Sequence, residues 1–184
     1  RGLEGHARHV YRESTEIPFI IGFPVRLEPG VTVTTRSRNV DVWPTLLDLM
    51  GLDPIEDSDG RSLVPEIMAA IDGSEGESEA VADPDLAIAH LDRTWGQQGQ
   101  PERPVVALIE DGYRYVYARE ADGRTREQLF DGNADRLERE DVIAEHSERA
   151  ERLRIEAEAY LDDPEPAPWG EAAVSVELNE MELN

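Results

Sequence analysis

The sequence predicts an α/β fold: the last strands of a larger sheet with a short helix, followed by a small antiparallel sheet backed by a helix. Three observations carry this expectation. Apolar and alternating runs near the start lead into a short apolar helix, and four strand-like stretches then follow one another with turn signals between them. Beyond those, apolar residues recur at intervals of three and four, as one face of a helix requires.

The polar, glycine-containing stretch GLEGHARHVYRESTE reads as a loop feeding IPFIIGFP, an apolar run rich in β-branched and aromatic residues that suits a buried strand. Glu28-Pro29-Gly30 marks a turn, after which VTVTTRS alternates as a half-exposed strand would. A short, mostly buried helix is expected next. Pro44 fits its first turn, Leu46, Leu47, Leu49 and Met50 form its apolar face, and Gly51 ends it by tolerating positive φ. Asp57-Ser58-Asp59-Gly60 reads as a turn rather than a calcium loop, because the remaining ligands of the EF-hand spacing are absent. SLVPEIMAAI suits a second short helical segment. The acidic stretch DGSEGESEAVADPD holds little that could pack and predicts a solvated linker. LAIAHLDR, RPVVALIED, YRYVYARE and TREQLF read as four strands, the second and third joined at Asp111-Gly112. Tyr113, Tyr115 and Tyr117 share one strand face by period two, which points to sheet packing. From Ser147 to Leu161, Ala150, Leu153, Ala157 and Tyr160 give the helical face expected to cover the sheet. The residues after Leu161 are acidic and proline-containing and predict a mobile tail.

Composition excludes several function classes. The 184 residues carry 41 Asp and Glu against 18 basic residues, a formal charge of −23 that repels nucleic acid and anionic lipid. All the basic residues are arginine. Acid excess without lysine resembles proteins of salt-rich cytoplasms, a halophilic pattern, although a GC-rich genome produces the same bias. With no cysteine, disulfides, zinc thiolates and a cysteine nucleophile are excluded within these residues. No apolar run approaches the ~20 residues of a membrane span.

Four motifs in order carry a family resemblance. GHARHVYRESTEIPFIIGFP, with Gly5-His6, Tyr11-Arg12-Glu13, Ile17-Pro18 and Pro29-Gly30, resembles the sulfatase stretch in which Gly-His precedes Tyr-x-Glu, Val-Pro and an apolar strand. NVDVWPTLLDLMGL matches the family's Asp-x-x-Pro-Thr-Leu-Leu-x-Leu-x-Gly helix at Asp41, Pro44, Thr45, Leu46, Leu47, Leu49 and Gly51. DGRSLVP, from Asp59 to Pro65, matches its Asp-Gly-x-Ser-Leu segment. EDGYRYVYAR followed by REQLFDGNADRLEREDVIAEHSERAERL is similar to its ending, a strand pair before Glu-Leu-Tyr-Asp-Leu and a helix lead-in.

The resemblance implies the C-terminal part of an alkaline-phosphatase-like sheet plus a small antiparallel subdomain backed by a C-terminal helix. On that basis residues 1–71 are the end of the sulfatase catalytic domain and 72–85 an acidic linker. Residues 86–161 form the subdomain, and 162–184 the tail. It also implies hydrolysis of a sulfate ester on a small molecule or glycan. Sulfatases use a formylglycine, made from Cys or Ser in Cys/Ser-x-Pro-x-Arg, and a divalent cation, usually calcium. Neither is complete here, so both are expected from an N-terminal half of the same enzyme, with this chain inactive alone.

His6 matches the family histidine that faces the ester, where an imidazole binds anionic oxygens or protonates the leaving oxygen. Arg8 is a second candidate for substrate binding, as an anion clamp, although a surface arginine is the commoner reading. His9, His90, His146, Glu13 and Asp41 read as packing, edge or network residues. Phosphoesterases and phospho-group transferases of the same superfamily share the fold, and a split or degenerate remnant acting as a binding module is the non-enzymatic alternative.

Overall fold

The computed structural model describes residues 9–73, 86–94 and 100–162. The expected linker core and acidic tail lie outside them, so neither expectation is tested.

Four strands form one antiparallel meander, β1 (Ala87–Asp92), β2 (Pro104–Glu110), β3 (Tyr113–Arg119) and β4 (Thr125–Asp131), in the spatial order of the chain. These are the four stretches read from the sequence. Asp111 and Gly112 make the β2–β3 connection with φ of 50° and 80°, the double positive φ of a type I′ turn whose twist matches a hairpin. That geometry pairs Val106 with Tyr117 and Leu108 with Tyr115, and on the opposite face Val105 with Ala118 and Ala107 with Val116. Both faces are covered, which explains why β2 is apolar throughout rather than alternating.

One face lies under α4 (Ser147–Asp162), whose Ala150, Leu153 and Ala157 pack on Val106, Leu108, Tyr115, Tyr117 and Leu129. Two alanines in the helix stripe let its backbone approach the tyrosine rings. The Tyr115 hydroxyl donates to Glu127 at 2.6 Å, and burial first, then this bond, holds the phenol well above its ordinary pKa. The other face packs Val105, Ala107, Val116, Ala118 and Phe130 against Val10 and Tyr11 from the start of the chain. Residues 10–11 and strands β2 to β4, about a hundred residues further on, therefore share one core.

Residues 12–73 are organised differently. α1 (Arg12–Thr15) is a single turn, and a 3-10 turn at Asn39–Asp41 leads into α2 (Val42–Met50). Pro44 sits in the first turn of α2, where its missing N–H is not needed. Gly51, at φ +69°, closes the helix by donating to the Asp48 carbonyl while Leu52 donates to Leu47, which is a Schellman cap. α3 (Val64–Asp72) follows, with Pro65 in its first turn and Gly73 beyond its end at φ +69°. IPFIIGFP and VTVTTRS differ from expectation: both are irregular, without ladder hydrogen bonds. A strand needs a neighbour for its N–H and C=O groups, and the described residues place none beside 17–37. Ile20 and Val25 are accordingly 87% and 81% exposed, and Trp43 on α2 is 64% exposed.

The two short helices are joined through fully buried Asp41 and Thr45. Asp41 accepts from the backbone N–H of Arg38 at 2.7 Å and of Arg61 at 3.0 Å. Thr45 accepts from Leu63 N–H at 3.0 Å and donates to the Asp41 carbonyl. Asp41 is thus a structural acceptor, as the sequence indicated. This junction depends on Gly60, where an added Cβ would lie 1.9 Å from the Val40 carbonyl oxygen. Because the obstacle is backbone, Gly60→Ala is expected to cost about 1–3 kcal/mol. A urea titration should show a lower midpoint with the slope preserved, and an unchanged midpoint would contradict it.

Candidate functional site

His6 and Arg8, the residues that the motif points to, lie outside the described residues. What the structure shows is how the chain is held directly after them. His9 is buried, its Nδ1 3.1 Å from the Ser14 hydroxyl and its ring 5.3 Å from that of Tyr11. This is the packing role expected of it.

From Val10 to Arg12 each residue is bonded to the sheet or to the loop after β4. The Val10 carbonyl accepts from Arg114 Nη1 at 3.2 Å, and the Tyr11 hydroxyl donates to Gln128 Oε1 at 2.7 Å. Arg12 donates its backbone N–H to Glu138 Oε2 at 2.9 Å and its Nη1 to the Gly132 carbonyl at 3.4 Å. The other Glu138 oxygen accepts from Arg114 Nε at 2.5 Å. Both partners of this ion pair are buried, at 7% and 3% exposure, and Glu138 has a φ of +50°. Burial pulls the Arg114 pKa down and the Glu138 carboxylate opposes it. A buried charge is tolerated only when it is paired and bonded, and this pair spends its capacity on the loop that follows His6.

An open cleft of about 580 Å³ adjoins this anchor, lined on one side by Arg12, Glu13, Glu16, Ile17 and Pro18 and on the other by Arg136, Leu137 and Arg139. Arg12 holds Glu16 through two guanidinium nitrogens, which raises the arginine pKa and lowers that of the carboxylate. Arg136 stands 3.8 Å from Glu16, too far for a hydrogen bond. Beneath the far wall, the Asp135 carboxylate accepts the backbone N–H groups of Leu137, Arg139 and Glu140.

The remaining candidates stay apart. His90 lies on edge strand β1, its ring 5.6 Å from Tyr160, and burial lowers its pKa against the opposing pull of Asp92 and Glu102. His146 precedes α4 and meets the Tyr113 ring at 5.1 Å. Among the described residues, no three or more His, Cys, Asp or Glu side chains converge to hold a metal ion, and no helix is long and apolar enough to cross a membrane. No ligand of a divalent cation is assigned to them.

Residues 6–76 match the family model described as N-sulphoglucosamine sulphohydrolase, C-terminal. The chain is 27% identical over 156 residues to arylsulfatase K of Xenopus laevis, covering 84% of this chain and 27% of that protein. It is 32% identical over 131 residues to the choline-sulfatase of Rhizobium meliloti strain 1021, covering 70% of this chain and 21% of the relative. These matches support the sulfatase family, C-terminal portion, for this chain. A solved structure, of a protein in complex with its substrate D-glucosamine-2-N,6-O-disulfate, aligns with this chain at a TM-score of 0.54 and 20% identity. It covers 77% of this chain and 28% of the other, and bears on the fold alone. The expected α/β architecture, with its small antiparallel sheet and closing helix, stands. The chain thus spans roughly a quarter of the length of these relatives.

Sequence reasoning missed the Arg114–Glu138 anchor and the arginines of the cleft. One signal was available. In YRYVYAR, Arg114 shares a strand face with Val116 and Ala118, and a charged residue on an apolar face asks for a buried partner.

Proposed function

We propose that this chain is the C-terminal portion of a sulfatase-type hydrolase that cleaves a sulfate ester on a sugar or small molecule. The observation that carries the reading is the match of residues 6–76 to the sulphohydrolase C-terminal model. In this reading a formylglycine nucleophile and a divalent cation, calcium by family resemblance, belong to sequence outside these residues. The cation would polarise the sulfate group. His6 faces the ester and donates to the developing charge on the leaving oxygen, and Arg8 clamps the anion. The anchor at Val10 to Arg12 holds the chain that follows them. Residues 1–71 complete the catalytic domain, 72–85 link it to the subdomain of 86–161, and 162–184 form an acidic tail. The exposed Ile20, Val25 and Trp43 support docking of 1–71 against the N-terminal half of the same enzyme.

The test is the enzyme produced with its upstream sequence. It should release sulfate from an aryl sulfate or a sulfated glucosamine, lose activity with a chelator and regain it with calcium. His6→Ala should depress kcat while leaving the fold intact by circular dichroism. Release of phosphate from the corresponding phosphate ester, with no sulfate release, would move the protein to the phosphoesterases of the same superfamily. An upstream sequence without Cys/Ser-x-Pro-x-Arg and metal-binding aspartates would remove the sulfatase reading.

A further inference from the structure

We propose that the cleft between α1 and the loop after β4 is a binding site for an anionic saccharide. Arg136 and Arg139 hold a sulfate or carboxylate group, and the sugar ring lies against Ile17, Pro18 and Leu137.

Charge is the first argument. In a chain of net charge −23, three arginines converge on one cleft with only two lining carboxylates, Glu13 and Glu16. They are not equally engaged. Arg12 is committed to Glu16 through both of its nearest nitrogens. Arg136 is 79% exposed and only approaches Glu16, and Arg139 is exposed, within electrostatic reach of the Asp135 carboxylate but with no side-chain hydrogen bond or salt bridge among the described residues. Two guanidinium forks therefore face the cleft with donors to spare, and such forks match the oxygen spacing of sulfate and carboxylate.

Shape and support are the second. About 580 Å³ lies within the range of small-molecule sites. Ile17 and Leu137 leave 60% and 58% of their surfaces exposed beside the arginines, which gives the apolar C–H face of a sugar ring something to cover. The far wall is also fixed from below. Asp135 gathers three backbone N–H groups of the loop and Glu138 turns inward onto Arg114, so Arg136, Leu137 and Arg139 project from a held backbone. Such preorganisation lowers the ordering cost of binding.

That the ligand is a sulfated sugar rests on the proposed function, whereas anion binding in the cleft does not. Binding is therefore measured without turnover. The full 184-residue chain is titrated at low salt, followed by amide NMR, with a sulfated glucosamine disaccharide, its unsulfated counterpart and sodium sulfate. The sulfated disaccharide should shift amides of residues 12–17 and 136–139 selectively, and the unsulfated one should not. Combining Arg136→Glu with Arg139→Glu should weaken binding by about 10-fold or more through charge reversal. Arg124→Glu, at an 81% exposed arginine on the β3–β4 turn, should leave it unchanged. Shifts absent from the cleft, or equal weakening by Arg124→Glu, would overturn the site. Equal shifts from sodium sulfate at the same concentration would overturn the saccharide. Selective binding by this chain, with no sulfate release by the longer enzyme, would sustain the cleft and remove the sulfatase reading. Sulfate release without cleft binding would do the reverse.

Discussion

Glu138→Ala is expected to lower stability by about 3–5 kcal/mol, the range for breaking a buried ion pair from one side. The size follows from what is left behind. Arg114 stays charged, because a guanidinium does not deprotonate in proteins, and it stays buried, at 7% exposure, with its Nε partner gone. The Arg12 backbone N–H loses its acceptor in the same step. The damage therefore reaches the chain on the far side of the core as well as the loop after β4. Hydrogen exchange at the amides of residues 10–12 should rise well beyond that of the β2–β3 ladder. Replacing both partners at once, Arg114→Met with Glu138→Leu, should cost less than Glu138→Ala, since no orphaned charge remains. A urea midpoint for Glu138→Ala within error of the parent, or equal protection at residues 10–12, would show that the pair is not the anchor.

The same pair marks where sequence reading stopped. β1 to β4 and α4 were legible because their signals are local: a period of two, a period near 3.6, and an Asp-Gly turn that permits one hairpin geometry. The α2 cap was legible for a similar reason, since Gly51 ends an apolar run that Pro44 opens. IPFIIGFP carries an equally clear apolar signal, but such a run reports only that it would be buried somewhere. Whether it pairs depends on neighbours that local pattern does not contain. Arg114 and Glu138 stand 24 residues apart, and Val10 lies 104 residues from Arg114. Their meeting is decided by the meander's topology and leaves only the charged residue on an apolar face as a trace. At the candidate site, His6 and Arg8 came from motif order alone. The arginines at 136 and 139 sit in a charged run, where solvated side chains have no period to read.

Leu153→Ala should cost about 2–5 kcal/mol, because the side chain is fully buried and both flanking stripe residues of α4 are already alanine. Leu153 is the large residue of that stripe, set against Tyr115, Tyr117 and Leu129. Its removal opens a void that Ala150 and Ala157 are too small to fill. The tyrosines have little freedom to follow, since their hydroxyls are tied to Glu127 at 2.6 Å and Glu158 at 3.2 Å. A cost near the upper end of the range is expected for such a site, which collapses poorly. Ile155→Ala is the internal control, on the same helix but 55% exposed, and should change stability by no more than about 0.5 kcal/mol, as surface substitutions usually do. Helix propensity favours alanine at both positions, so it does not separate the two variants. Similar urea midpoints for Leu153→Ala and Ile155→Ala would mean that α4 does not close the sheet, and the sheet's tyrosine face would then need another cover.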